Sequence, residues 1–230
     1  MRFPPLGLGE RPNDIHPPYK STSVRGPREP RIAVRHELVA ATGIGAPISI
    51  FRANDTDLTR HGTSEPMGQA ITVSGRVIDE DGKPVRDSLV EVWQCNAAGR
   101  YAHAKDDHDA PLDPNFLGQG KFLTDHEGRY RFKTIKPGAY PWGNHENAWR
   151  PAHIHFSLFG NVYAQRLVTQ MYFPDDPLFP FDPIFNGIPD GAARQRLISR
   201  FSLDETVSGT SLGYVFDIVL RGRGATPTGI

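Results

Sequence analysis

His153 and His155 lie two residues apart in the run WRPAHIHF, residues 149–156, with Ile154 between them and Phe156 after them. Successive side chains of an extended strand alternate between faces. The two imidazoles therefore share one face, and Ile154, Phe156 and Leu158 share the other. Imidazole is the commonest transition-metal ligand among side chains, and two on one strand face can bind one ion. Two nitrogens do not complete a site, and the remaining positions require anionic oxygen or thiolate. Cys95 is the single cysteine and precedes a polar NAAG loop, a poor setting for a ligand. Apart from Glu146, carboxylates are absent close to His153. Tyrosine is the abundant oxygen donor here. A phenol titrates near ~10, so only a strongly acidic, hard cation holds it ionised at neutral pH. Ferric iron does so, whereas zinc more typically recruits Cys, His or carboxylate. The chemistry leans to a ferric centre of two imidazoles and two phenolates, which spacing alone does not fix.

The neighbours add weight. In TIKPGAYPWGNHENAWRPAHIHF, residues 134–156, a Pro-Gly turn leads to Tyr140 and Trp142, and Trp149 and Arg150 precede the histidines. Trp93 ends the run SLVEVWQ, and Tyr101 follows in GRY. Aromatics and histidines beside Pro/Gly-rich loops at strand ends are the makings of a pocket on a rigid scaffold. Taken singly, each residue has an ordinary reading. Tyr101, Trp93 and Trp142 read as core aromatics, Arg150 as a surface ion-pair partner, and H-x-H as a solvated strand face. The joint pattern points to chemistry. His16, His36, His61, His103, His108, His126 and His145 read as ordinary loop or surface residues.

The elements that must position these groups are short strands. ITVSGRVID alternates from residue 71, EDGKPV carries the hairpin signal Asp81-Gly82, and SLVEVWQ reads as the answering strand. GRYRFKTI (128–135), AHIHFSLF (152–159), QRLVTQMYF (165–173) and YVFDIVL (214–220) make at least six strands. DGAARQRLISRF (190–201) reads as a helix with Asp190 as N-cap. The 21 prolines and 23 glycines form no repeat, which suits many turns. The expected fold is all-β: an antiparallel β-sandwich with long loops, an extended N-terminal arm and one or two short helices.

The 26 basic and 26 acidic side chains cancel, so neither nucleic acid nor an anionic membrane gains support as a partner. A lone cysteine forbids an intrachain disulfide and fits a reducing compartment. No apolar run nears the ~18–20 residues that span a bilayer. The first residues lack the apolar stretch of a signal peptide. The expectation is a cytoplasmic protein. Residues 1–35 are rich in Pro, Arg and Lys; a solvated tail and an arm draped over a partner both fit, and Tyr19 favours docking.

The segments VEVWQCNAAGRY, LDPNFLGQGKFLTDHEGRYRFKTIKPGAYPW and WRPAHIHFSL resemble the intradiol ring-cleaving dioxygenases, and within them the β chains of the protocatechuate-cleaving branch. The likeness runs from HPPYKSTS to FDIVLRGR, nearly the whole chain. It implies a non-heme Fe(III), one per chain, held by Tyr101, Tyr140, His153 and His155, with Tyr140 the ligand released when a catechol binds. It implies Arg150 beside the bound ring, Gln170 closing the pocket, and Trp93 and Trp142 packed beside substrate and ligands. Tyr19, on the N-terminal arm, falls near the pocket mouth. The implied reaction cleaves 3,4-dihydroxybenzoate (protocatechuate) with both atoms of O2 to 3-carboxy-cis,cis-muconate, in the β-ketoadipate route of aromatic catabolism. The implied partner is a homologous α subunit in a hetero-oligomer. Residues 1–69 would be arm and loops packing on that partner, and 70–230 the catalytic sandwich.

The alternatives are the same chemistry on catechol, hydroxyquinol or another substituted benzoate, and a transthyretin-like β-sandwich binding module. Such a module also opens on a stretch like ITVSGRVIDEDGKPV, but has no use for H-x-H and two tyrosines around a pocket. One departure stands out. Relatives often carry arginine after Y-P-W, and this chain has Gly143. A partly exposed positive charge lost there is worth about 1 kcal/mol towards substrate preference.

Overall fold

Alternating apolar residues form strands here because a sandwich buries one face of each strand. The computed structural model describes residues 55–142, 148–159, 166–220 and 222–228. Among these the strands run β1 (Ala70–Ile78), β2 (Leu89–Trp93), β3 (Gln119–Leu123), β4 (Arg129–Ile135), β5 (Tyr140–Pro141), β6 (Trp149–Arg150), β7 (His153–Phe159), β8 (Arg166–Tyr172), β9 (Arg200–Val207), β10 (Ser211–Val215) and β11 (Ile218–Val219). Two short helices, α1 (Pro183–Asn186) and α2 (Gly191–Gln195), lie between β8 and β9. No helix among the described residues is long and apolar enough to cross a membrane.

One sheet has β1 at its centre, antiparallel to β4 on one side and parallel to β10 and β11 on the other, with β9 beyond β10. The second runs β3-β2-β7-β8, antiparallel throughout. Their inner faces supply one core: Ile71 and Val73 from β1, Tyr130 and Phe132 from β4, Val90 and Val92 from β2, Ile154, Phe156 and Leu158 from β7. Phe156 joins the sheets, its ring lying 5.8 Å from Tyr130, 6.0 Å from Phe132 and 5.3 Å from Phe216. Emptying that position, Phe156→Ala, should cost about 3–5 kcal/mol and lower the melting temperature by roughly 10 °C. Calorimetry of the two proteins checks it. Leu58, ahead of β1, is also fully buried in this core.

Two local expectations give way to tertiary pairing. The turn at Asp81-Gly82 forms, with Gly82 at φ 77° and the Asp79 N–H donating to Lys83 O at 3.0 Å. Yet the chain then leaves the sheet. Ile78 and Pro84 form a single bridge and the Val85 N–H donates to Val77 O at 2.9 Å, but β4 and β10 with β11 occupy the two edges of β1, and β2 pairs with β3 and β7 instead of answering it. The helix expected over 190–201 stops at Gln195. Asp190 does cap it, accepting from the Ala192 N–H at 2.9 Å. Beyond it, Tyr172 N–H donates to Leu197 O and Ser199 N–H to Tyr172 O, each at 2.8 Å. Held there, residues 200–207 pair as β9 with β10. Strands β3 and β9 went unread in the sequence.

Candidate metal centre

Alternation along β7 separates two functions. Ile154 and Phe156 enter the core, and His153 and His155 face outward as expected. That outer face is not open solvent, because His153 and Ser157 on it are buried. The sheet register supplies neighbours. Trp93 of β2 is opposite His155, and its indole stacks on that imidazole at 4.7 Å with planes 2° apart. On β8, Gln170 is opposite His155 and Tyr172 opposite His153. The β5–β6 pair sets Tyr140 opposite Arg150, just ahead of β7. Tyr101 arrives from the loop after β2.

These elements bring four donor atoms together. His153 Nε2 lies 3.2 Å from His155 Nε2 and 3.4 Å from Tyr140 Oη, and Tyr101 Oη lies 3.2 Å from His155 Nε2. The two phenol rings meet edge to face at 5.5 Å. Ligands at ~2.0–2.1 Å from one ion, at angles between octahedral and tetrahedral, stand about 2.8–3.4 Å apart. The observed spacings lie in that range. His153 Nδ1 is 2.7 Å from Pro151 O, and a carbonyl only accepts. The proton is therefore on Nδ1, and the Nε2 lone pair of the neutral ring is directed at the cluster. Burial, then the Arg150 charge, holds both imidazoles neutral: His153 titrates well below the ordinary range and His155 is pushed down to about 3.

The phenols behave oppositely. Burial pushes Tyr101 and Tyr140 up, so unaided they stay protonated. A strongly Lewis-acidic ion would be needed to hold them as phenolates. No cluster of three or more His, Cys, Asp or Glu suited to a metal occurs among the described residues. Among the described residues, the donors that do gather are imidazole and phenol, and that donor set fits a hard trivalent ion.

The two tyrosine-bearing loops are tied through Asn96. Its backbone O accepts from Gly99 and Gly138 at 3.0 Å each, its Oδ1 accepts from Ala98 and Arg100, and its Nδ2 donates to Pro111 O. The approach is close enough that a Cβ on Gly99, at φ 82°, would lie 2.4 Å from Ala139 O. Asp106 adds a hold on Tyr101 itself, accepting its N–H at 2.7 Å.

Arg150 is not the surface ion-pair partner it resembles in isolation. It is 2 % exposed, with its guanidinium 5.0 Å over the Trp142 ring. Its Nε is 3.1 Å from Asp182 Oδ1, and Nη2 reaches Gln170 Oε1 at 2.5 Å, Tyr172 Oη at 3.1 Å and Asp182 Oδ2 at 3.3 Å. Tyr172 and Asp182 escaped the sequence reading. Tyr172 was two residues from Gln170 on the same strand face, a usable signal. Asp182 before Pro183 signalled only a helix start. Tyr19, Gly143 and most of the N-terminal arm lie outside the described residues.

Cys95 is free and buried. Burial pushes its thiol from 9.0 up to about 12. A raised acid pKa stabilises the fold fully below the unfolded value, and that stability is lost as pH climbs from about 9 to about 12. At pH 8 the native thiol should resist alkylating reagents and react only on unfolding, as mass spectrometry would record.

Comparison with known proteins gives the family. A dioxygenase family model matches residues 45–222. The chain is 62% identical to the protocatechuate 3,4-dioxygenase beta chain of Burkholderia cepacia, over 97% of this chain and 95% of that one. It is 33% identical to the protocatechuate 3,4-dioxygenase alpha chain of Pseudomonas putida, over 69% and 75%. Among solved structures, 3-chlorocatechol 1,2-dioxygenase of Rhodococcus opacus 1CP shares the fold at TM-score 0.56 and 24% identity, over 80% of this chain and 75% of that one. The chain belongs to the intradiol ring-cleaving dioxygenase family.

Proposed function

We propose that the chain cleaves 3,4-dihydroxybenzoate with dioxygen to 3-carboxy-cis,cis-muconate, at one ferric ion held by Tyr101, Tyr140, His153 and His155. The observation that carries this reading is the meeting of those four donor atoms at 3.2–3.4 Å beside a buried arginine. The 62% identity to a protocatechuate 3,4-dioxygenase beta chain supports the substrate. A colourless binding module would leave the cluster without a use.

Ferric iron held by these four residues would supply the Lewis acidity that makes the ring of a catechol dianion reactive towards O2. The chain's own residues do the rest. A catechol bound as its dianion would shed two protons: the Tyr140 phenolate would take one at Oη, and hydroxide from solvent the other, leaving as water. That exchange avoids burying an uncompensated charge. Tyr101 stays, held through its N–H by Asp106. Trp93 fixes the plane of His155 by stacking. Arg150, always cationic, stabilises negative charge developing on the ring. Gln170 and Trp142 flank that guanidinium and close the pocket wall. A homologous α subunit packs against this chain.

The test is to express the chain with and without a candidate α chain, then measure iron content and oxygen uptake over a panel of catechols. The expected result is one iron per chain, red-brown colour, and one O2 consumed per 3,4-dihydroxybenzoate by the paired protein. Faster turnover of catechol or hydroxyquinol would move the assignment to those substrates. No oxygen uptake by iron-loaded protein would end it.

A further inference from the structure

The mechanism leaves Asp182 unused, although it is the most deeply buried carboxylate among the described residues, at 0% exposure. We propose that Asp182 is the positioning residue for Arg150: its carboxylate holds the Nε–Nη2 edge of the guanidinium and so aims the cation at the substrate ring. This rests on the role given to Arg150 above.

The geometry is that of a fixed anchor. The carboxylate comes from 32 residues further along the chain and meets Arg150 through both oxygens: Oδ2 accepts from Nη2 at 3.3 Å, and Oδ1 lies 3.1 Å from Nε as an ion-pair contact without hydrogen-bond alignment. Its own direction is set by the backbone, because Oδ1 also accepts the Ile184 N–H at 3.0 Å as the N-cap of α1. Tyr172 ties the pair further. Its hydroxyl accepts from Arg150 Nη2 and lies within donating distance of Gln170 Oε1, at 2.9 Å, and of Asp182 Oδ2, at 3.1 Å. Asp182 is the charged member of this set; Gln170 and Tyr172 are neutral acceptors. Without that charge the guanidinium keeps only neutral partners, and the Tyr101 phenolate of the iron-loaded site becomes the anion that draws it. A displacement of ~1 Å from the productive pose is enough to slow turnover by about 100-fold.

A helix cap alone would account for a buried aspartate, so the test must separate the two roles. Asp182→Asn does this, because asparagine caps helices as well as aspartate: its Oδ1 can keep the Ile184 N–H, while Nδ2 in place of Oδ2 donates to the Tyr172 hydroxyl and no longer accepts from Arg150. Expected for Asp182→Asn is full iron content, kcat per iron reduced about 100-fold, and KM changed by only a few-fold. Melting of the metal-free chain should fall by roughly 10 °C, since the guanidinium is left buried and unpaired. In an Arg150→Met background the same change should leave kcat unaltered and raise the melting temperature, because the two residues act as one unit. An unaltered kcat in Asp182→Asn, or losses that multiply in the double variant, would overturn the positioning role while leaving the iron site standing. Full turnover in Arg150→Met would instead remove the role of Arg150 itself. If Asp182→Asn fails to fold, Asp182→Glu decides. It keeps the charge but displaces the guanidinium, and a kcat equal to the native value sinks the proposal.

Discussion

A His155→Ala chain is expected to leave purification colourless and without iron, yet folded. His155 Nε2 is the donor that sits 3.2 Å from both His153 Nε2 and Tyr101 Oη, so its removal opens the middle of the cluster. The loss is compounded by the phenols. Burial holds Tyr101 and Tyr140 protonated, and only a tightly bound ion can offset that bias. Losing an outer partner of a metal ligand costs about 10–100-fold in affinity, and losing the ligand itself should exceed this. The core face of β7 is untouched, so melting of the metal-free chain should move by no more than a few degrees. Atomic absorption and the visible spectrum read the result. His126→Ala, an exposed histidine in the turn before β4, is the control and should keep its iron. Stoichiometric iron in His155→Ala would remove this residue from the ligand set.

Arg150→Ala should show the opposite separation, with iron retained and turnover lost. None of the four donors is removed, and the cation proposed above to stabilise the developing charge is. Deleting one preorganised electrostatic contact of this kind lowers kcat by about 10²–10³-fold. The same change leaves Asp182 buried without its counter-charge. Breaking a buried pair from one side costs about 3–5 kcal/mol, so the melting temperature should drop as well. Turnover normalised to bound iron, read beside a melting curve, tells the catalytic loss from the structural one. Unchanged turnover per iron would exclude a catalytic part for Arg150.

Much of this site is written in short-range pattern. The period of two along AHIHFSLF assigns His153 and His155 to one face and Ile154, Phe156 and Leu158 to the other, because pleat geometry depends on neighbouring residues alone. Turn and cap signals at Asp81-Gly82 and Asp190 are local in the same sense, and both form. The donor types, imidazole and phenol, are likewise properties of residue identity. What the tertiary structure decided is pairing and depth. Residues 200–207 became a strand because β10 offered them a ladder, and β2 crossed to the second sheet because both edges of β1 are taken, one by β4 and the other by β10 and β11. Arg150 reads as a surface residue until packing buries it against an aspartate 32 positions away. Whether a charge is solvated or paired depends on what folds over it. Nothing within a few residues of Arg150 carries that information.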